Sequence, residues 1–215
     1  MAVNEFSGRA HPGNPFRDLR LVGGVPCLDF TNTVDHRNAA DPNERLRSFS
    51  DLLWWANRAE LLSAADVEEL AGRAEAVEGE AATAFARAIA LREALYRTFS
   101  AVANGTTPSN RDLDLVSAEA RSAAAHRKVV REGGRFRWEW TTSRELDHML
   151  RPIALSAADL LTGTDLDRLG HCAGEDCDWL FLDTSRNRSR RWCDMKECGN
   201  RAKVRRYHRR HRRRV

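Results

Sequence analysis

The sequence predicts an α+β protein in two parts: a mainly helical N-terminal domain with a few short strands, and a small C-terminal module that contains four cysteines. Three observations support this prediction. Apolar residues recur at steps of three and four through most of the stretch 50–161, which is the period of a helix. Between residues 126 and 141 they alternate, as in strands. The four cysteines then form two C-x₄-C pairs.

The front of the chain is predicted to be irregular and then extended. Residues 1–19 are polar and contain proline and glycine, so an irregular N-terminus is expected. The next segment, residues 21–30, is predicted to form two short strands around a Gly23-Gly24 turn. Cys27 lies in this segment and is typical of a small buried apolar residue, whereas a catalytic role would require a histidine beside it in space.

Four helices are predicted to follow. Ser50 is expected to be the N-cap of the first, and the second is expected to begin after Ser63, which forms a capping-box pattern with Asp66. The third helix is the alanine-rich run 80–103, and the fourth begins after Ser109. Their apolar stripes predict a helical core for the domain.

A hairpin and one more helix complete this domain. The alternating residues of 126–141 flank a Gly133-Gly134 turn, which predicts two antiparallel strands. The last helix is expected to span about 143–161, with Pro152 either kinking it or separating two shorter helices. Residues 162–164 are the expected linker to the cysteine module.

The charge of the chain is divided unevenly along its length. Residues 184–215 contain 14 Lys and Arg against 2 Asp and Glu, whereas residues 1–183 contain 21 basic and 29 acidic side chains. The formal net charge of +4 therefore conceals an acidic domain followed by a basic segment. Such a segment is typical of a module that binds a polyanion such as nucleic acid.

The paired cysteines, Cys172, Cys177, Cys193 and Cys198, have the spacing of ligands for one tetrahedral Zn²⁺. No apolar run reaches the roughly 20 residues of a membrane span, so a cytoplasmic protein without membrane contact is expected. In that reducing compartment a metal explains the thiols better than disulfides do. Four thiolates leave no open coordination position, which favours a structural over a catalytic ion.

The predicted order of the module is a knuckle at 171–177, a strand at 179–183, a basic turn at 184–190, a return strand that ends at Cys193, and a helix from near Cys198. A knuckle, a hairpin and a helix around one ion form a treble-clef-like zinc finger. Because such a module has little core of its own, the metal is expected to provide much of its folding free energy.

The cysteine module resembles a known family. The string Cys198-Gly-Asn-Arg201, preceded by Trp192-Cys193-Asp194 and followed by Lys203-Val-Arg-Arg-Tyr207, is similar to the CGNR zinc finger. The resemblance implies one structural zinc ion at the four cysteines and a DNA-binding role for the finger.

The front of the chain also carries a resemblance. The segment Cys27-Leu-Asp-Phe-Thr-Asn-Thr33, with Asp35-His-Arg37, is similar to the ABATE domain, which accompanies this finger in bacterial stress-induced transcription regulators. The two resemblances divide the chain, after the irregular N-terminus, into an ABATE-like domain at 20–163 and a finger with a basic helix and tail at 164–215.

The basic residues of the finger are the candidate nucleic-acid contacts, because guanidinium groups bind phosphates in pairs of hydrogen bonds and can read guanine in the major groove. One group flanks the expected turn and another extends along the expected helix. These residues are Arg186, Arg188, Arg190, Arg191, Arg201, Lys203, Arg205 and Arg206.

A polar cluster in the ABATE-like segment has two interpretations. Its residues are turn-forming types, which favours a hydrogen-bonded turn. The alternative is a pocket for a small-molecule effector, to whose lining Trp54, Trp55, Trp138 and Trp140 could contribute. The candidate pocket residues are Asp29, Asn32, Thr33, Asp35 and Arg37.

Together with the basic finger, the two resemblances imply a DNA-binding transcriptional regulator that responds to stress, with the N-terminal domain sensing an effector, and no enzymatic activity is expected. Two alternatives stay open: a zinc protein that binds RNA or ribosomes, because electrostatics attracts any polyphosphate, and an enzyme domain tethered to nucleic acid. No nucleophile elbow, P-loop or dinucleotide fingerprint supports the enzyme. A homodimer also stays open, although no heptad seam indicates one.

Overall fold

The computed structural model describes residues 14–141, 143 and 145–212, without the side chains of residues 78, 210 and 212. Most of the N-terminus predicted to be irregular lies outside these residues. The helices are α1 (Pro26–Thr31), α2 (Phe49–Arg58), α3 (Ala64–Ala76), α4 (Glu78–Ala103), α5 (Asn110–Ala124), α6 (Leu150–Thr162) and α7 (Asn200–Arg212). The strands are β1 (Val34–Asp35), β2 (Asn43–Glu44), β3 (Arg127–Glu132), β4 (Arg135–Trp140), β5 (Leu169–His171) and β6 (Leu180–Leu182).

The long helix α4 is the centre of the domain. Helices α1, α2, α3 and α5 pack against it, and α6 packs across α1 and α5. One face of α4 places Leu91, Leu95 and Phe99 in the core with no exposed surface, next to Phe30 and Trp55. The three antiparallel sheets of the described residues have two strands each, so the fold is α+β with a helical core. No helix in this part of the chain is both long and apolar enough to cross a bilayer.

The strands predicted at 21–30 are wrong, because the second half of this segment is helix α1. Val25 has an extended backbone and precedes Pro26, whose fixed φ and missing N–H suit the first turn of a helix. Gly23 lies so close to the helix that a Cβ there would approach the Leu28 Cβ to 2.8 Å. The sequence of this segment predicted strands because α1 is buried on all sides and so lacks the amphipathic period by which a helix is recognised.

The helix caps confirm two of the predicted helix starts. Ser63 and Asp66 form the predicted capping box at α3, and the Ser109 hydroxyl caps α5. The predicted cap at Ser50 is wrong: α2 begins at Phe49, and the Ser48 hydroxyl accepts the Asp51 N–H at 3.1 Å. Ser48 and Ser50 are both suitable N-cap residues for this helix, and the local sequence does not distinguish them.

Helix α6 is shorter than predicted, since residues 146–149 form turns rather than helix. Pro152 is therefore the third residue of α6, where a missing N–H leaves no helical hydrogen bond unmade. A short 3₁₀ turn, Thr164–Arg168, joins α6 to β5.

The predicted β3–β4 hairpin is confirmed, with Arg127 opposite Trp140 and Glu132 opposite Arg135. In the cysteine module, β6 pairs with β5 across the knuckle loop. The return strand predicted to end at Cys193 is wrong, because residues 189–194 form no strand in the described chain. The backbone there instead approaches the knuckle, where the Ala173 N–H donates to the Arg191 carbonyl at 2.8 Å.

Candidate metal centre and nucleic-acid interface

The four paired cysteines converge at one point. Cys172 and Cys177 lie at the two sides of the knuckle loop between β5 and β6, Cys193 lies in the loop after β6, and Cys198 lies in a π-helical turn that leads into α7. All four sulfurs lie within 4.8 Å of one another, and all four residues are buried. None of them forms a disulfide.

The geometry fits a tetrahedral zinc ion. Zn–S bonds of about 2.3 Å place neighbouring sulfurs about 3.8 Å apart. The sulfurs of Cys177 and Cys193, and those of Cys193 and Cys198, are 3.6 Å apart. Two groups approach the outer side of the sulfurs: the Cys193 N–H lies 3.3 Å from the Cys172 sulfur, and the Arg201 guanidinium lies 3.1 Å from that of Cys198. Such contacts orient and stabilise thiolate ligands.

The electrostatics of the cluster also favour a cation. As free thiols, Cys172, Cys177 and Cys193 cannot all ionise, because contact with Cys172 raises the pKa of Cys177 and of Cys193. The hydrogen bonds from Cys177 and Cys193 lower the pKa of Cys172 in turn. A divalent ion removes this conflict, since it stabilises all the thiolates together.

The small residue Gly174 allows the knuckle loop to close around the sulfurs. A Cβ at Gly174 would lie 3.0 Å from the Cys177 Cβ and 3.5 Å from the sulfurs of Cys172 and Cys198. The two neighbouring histidines, His171 and His208, lie outside the group of donors. The donor set is therefore four thiolates, which is the set of a closed structural zinc site.

Comparison with known families agrees with this geometry. Residues 24–164 match the ABATE family model, described as "Putative stress-induced transcription regulator". The chain belongs to the ABATE family. Residues 168–211 match the CGNR zinc finger. No curated protein matches the chain. The two models describe a regulatory and a zinc-finger family, so the chain is a regulatory nucleic-acid-binding protein with a zinc finger.

The CGNR finger is joined to the ABATE domain by hydrogen bonds as well as by the chain. The Asn32 side chain donates to the Leu180 carbonyl at 2.8 Å and accepts the Leu180 N–H at 2.9 Å, as a neighbouring strand would. The Leu182 N–H donates to the Gly23 carbonyl at 2.8 Å. Leu180 and Leu182 belong to the core of the ABATE domain, so the finger's strand completes that core.

The predicted effector pocket is not formed by its five candidate residues. Each is used in a separate contact: Asp29 accepts the Gly23 N–H, Asn32 binds Leu180, Thr33 bridges the Phe30 carbonyl and Arg92, Asp35 pairs with Arg45, and Arg37 pairs with Glu93. The tryptophans proposed to line the pocket are also apart, since Trp55 is in the core and Trp138 is exposed on the hairpin. The side chains of the polar cluster are thus held by hydrogen bonds and ion pairs within the protein, several of them with residues distant in sequence.

Arg190 is not available to nucleic acid, contrary to the prediction. Its guanidinium lies 4.3 Å from the ring centre of Phe181 and donates to the carbonyls of Val22 and Leu182 at 2.9 and 3.0 Å. Further bonds reach the carbonyls of Trp192 and Cys193. A guanidinium offers five donors, and these contacts use four of them, through all three of its nitrogens. Arg190 therefore fastens the basic loop to the finger and to the ABATE domain.

The other predicted contacts divide into two groups. In the first, the guanidinium groups are paired within the protein: Arg188 with Asp167 at 2.6 Å, Arg201 with the Cys198 sulfur, and Arg205 with Glu175 and Asp176. In the second, the side chains are exposed and form no ion pair with a described residue. These are Arg186, Arg191, Lys203 and Arg206.

Two exposed apolar residues of α7 were missed by the sequence reasoning. Val204 and Tyr207 are 55% and 59% exposed on a helix that is otherwise strongly basic. An aromatic residue that interrupts a run of arginines is the signal that could have identified them, because such a residue is more costly to expose than a cation.

Proposed function

We propose that this protein is a DNA-binding transcriptional regulator whose CGNR finger contacts DNA through the outer face of α7 and the basic loop 184–191. The observation that supports the proposal most directly is the division of α7 into two faces. One face is held by the finger, and the other is cationic and exposed.

The inner face of α7 is defined by residues four apart. Arg201 approaches a cysteine sulfur, Arg205 pairs with Glu175 and Asp176 of the knuckle, and Arg209 pairs with Glu175 at 3.2 Å. These contacts fix the direction in which α7 leaves the metal centre. A helix anchored in this way presents its other side at a fixed angle.

The outer face of α7 contains Lys203, Arg206 and Tyr207, all exposed. Its 13 residues extend about 20 Å along the helix axis, and an α-helix fits the major groove of DNA. Lys203 and Arg206 suit phosphates, and Arg206 can also reach guanine edges. Arg186 and Arg191 of the loop add two further cations beside the same module.

The ABATE domain is the proposed regulatory part. A cleft of about 690 Å³ lies between α4, α5 and the segment before α6, lined among others by Arg87, His126 and Asp147. We place a small-molecule effector there rather than at the polar cluster, where Asp35 lines a much smaller cavity of about 130 Å³. Grouped free thiols suit a reducing compartment, which supports a cytoplasmic location.

A matched set of variants tests the role of α7. Lys203→Ala together with Arg206→Ala removes two exposed cations, so DNA affinity should fall and the slope of log affinity against log salt should flatten by about 1.8. The control is Arg205→Ala, on the same helix but paired with the knuckle. It should change the slope much less. Binding is measured by fluorescence anisotropy at several salt concentrations, and equal slopes for all three proteins would reject the interface.

DNA and RNA are separated by competition. Duplex DNA and duplex RNA of the same sequence are titrated against a labelled DNA complex at each salt concentration. We expect DNA to compete better throughout. A preference for RNA at every salt concentration would reject the DNA-binding proposal and support the alternative that the protein binds RNA.

A further inference from the structure

The β3–β4 hairpin is the most unusual surface of the ABATE domain. Its strands pack chiefly against each other, and only its base, at Trp140, packs against the main core among the described residues. Phe136 is 73% exposed, and Val129 and Trp138 are each 56% exposed. These are the large apolar residues that the ABATE domain exposes in the described chain. Hydrophobic surface of this kind usually marks a binding site.

The hairpin has two different faces, which follow from its register. Val129 lies opposite Trp138, and Arg131 lies opposite Phe136, so these four side chains share one face. Arg127 extends this face, with its guanidinium 4.3 Å from the ring centre of Trp138. We call these five residues the aromatic face.

The opposite face is charged and internally paired. Arg137 forms ion pairs with Glu132 at 2.7 Å and with Glu139 at 3.0 Å, and Lys128 pairs with Glu139 at 3.3 Å. Both acidic residues of the hairpin are used there. On the aromatic face, Arg131 is exposed and has no ion pair with a described residue, so its charge is available to a ligand.

The charge of the hairpin indicates the class of ligand. Residues 127–140 contain five basic side chains, Arg127 among them, and two acidic ones, whereas residues 1–183 as a whole have more acidic than basic ones. The hairpin is thus a positively charged segment within an acidic domain. A second copy of the same positively charged face would be repelled, whereas a polyanion with flat apolar groups complements both the cations and the rings.

From this complementarity, and given the proposed function of the finger, we propose that the aromatic face of the hairpin is a second nucleic-acid contact. Arg131 binds a backbone phosphate, and Phe136 and Trp138 stack against bases. Strands about 4.8 Å apart form a ribbon narrow enough for the major groove, which is about 12 Å wide. Phe136 lies nearest the Gly133-Gly134 turn, where it meets a base first.

The hairpin and the finger are separated in the chain by α6, whose 13 residues extend about 20 Å. Two contacts on one ligand raise affinity through effective concentration, provided both sites are reached at once. The hairpin thus allows the acidic ABATE domain to take part in binding.

The test uses the full-length, zinc-loaded protein with two labelled probes, a mixed-sequence duplex and an oligo(dT) strand of the same length. Phe136→Ala with Trp138→Ala should weaken binding to the preferred probe about tenfold with an unchanged salt slope, because stacking releases no counterions. Arg131→Ala should flatten the slope by about 0.9. The preferred probe distinguishes insertion into a groove from stacking on an unpaired strand.

The matched control is Arg137→Ala, which removes the same charge from the opposite face of the same hairpin. If Arg131→Ala and Arg137→Ala have equal slopes, or if the double aromatic variant binds both probes as the unmodified protein does, the second contact is wrong. A change in sedimentation mass with unchanged binding would assign the face to self-association instead. The α7 variants are measured in parallel: if they alone lose affinity, only the hairpin proposal fails, and if the unmodified protein binds neither probe, both proposals fail.

Discussion

Among single residues, Asp29 is expected to make folding depend on pH between about 4 and 6. Its carboxyl is buried in α1, and this burial raises its pKa to about 6 despite the Gly23 N–H bonded to it at 2.7 Å. In the unfolded chain the pKa is about 3.9. The folded state therefore binds the Asp29 proton more tightly than the unfolded state does between these two values.

Asp29→Asn should remove this pH dependence. Because the folded pKa is raised, the contribution of Asp29 to stability is present below about pH 4 and is lost as the pH rises through about 6, a change of about 3 kcal/mol. The amide of the variant keeps an oxygen for the Gly23 N–H and cannot ionise. Urea unfolding of both proteins at a series of pH values measures the difference, in which all other groups cancel. Parallel curves would show that Asp29 is solvated in the folded protein.

The sequence predicts that the arginines form a basic module, but it does not predict which of them are exposed. Their number and density predict a polyanion-binding module, but Arg190 and Arg186 look alike in the sequence. The structure engages Arg190 with carbonyls from three parts of the chain and leaves Arg186 exposed. Which guanidinium is enclosed depends on the path of residues 19–24, far away in sequence. The cysteines were predictable because their short spacing fixes their geometry locally.

At the scale of elements, β6 is the strand on which the two matched regions meet. Leu180 has no exposed surface, and its N–H and carbonyl are both satisfied by the Asn32 side chain. A side-chain amide can replace a strand in this way because it offers a donor and an acceptor side by side. Asn32 is thus the reason that β6 needs no second strand on that side.

Asn32→Ala should destabilise the protein by about 3 kcal/mol, because it leaves two buried backbone groups of Leu180 without partners. Urea unfolding gives the free energy, and hydrogen exchange of the Leu180 amide locates the effect. The control is Asn200→Ala, which removes a 3.0 Å bond from the Asn200 side chain to the Lys196 carbonyl, both residues being exposed. It should cost at most about 1 kcal/mol. Similar losses for the two variants would mean that water replaces Asn32.

The predictability of the elements depends on where they lie. Helices α3, α4 and α5 were predicted from caps and an amphipathic period, which are local signals. Helix α1 was missed because burial on all sides removes that period. The partner of β6 was misplaced for a related reason: β5 precedes the knuckle, and nothing local distinguishes pairing across the knuckle from pairing across the later basic turn.

In the whole molecule, the zinc site and the helical core are coupled. Leu180 and Leu182 of β6 belong to the core around α1. Phe181, which lies between them, and Trp179, which precedes β6, pack against the cysteines. Alternate residues of one strand thus face the core and the metal centre, as the period of a strand requires. The Trp179 side chain also donates to the Val34 carbonyl at 3.1 Å. Loss of the ion should therefore destabilise the core of the ABATE domain as well as the finger.

Removal of zinc by a chelator should lower the melting temperature of the whole chain and expose α1 to solvent exchange. Without an ion the four sulfurs are no longer held together, β6 loses its support on one face, and the core packed on its other face loosens. Metal analysis verifies the loss, calorimetry gives the melting temperature, and hydrogen exchange compares Leu28 and Phe30 in α1 with Leu70 in α3. We expect α1 to exchange faster while α3, which packs against α2 and α4, stays protected. Unchanged protection of α1 after verified metal loss would show instead that the finger and the ABATE domain fold independently.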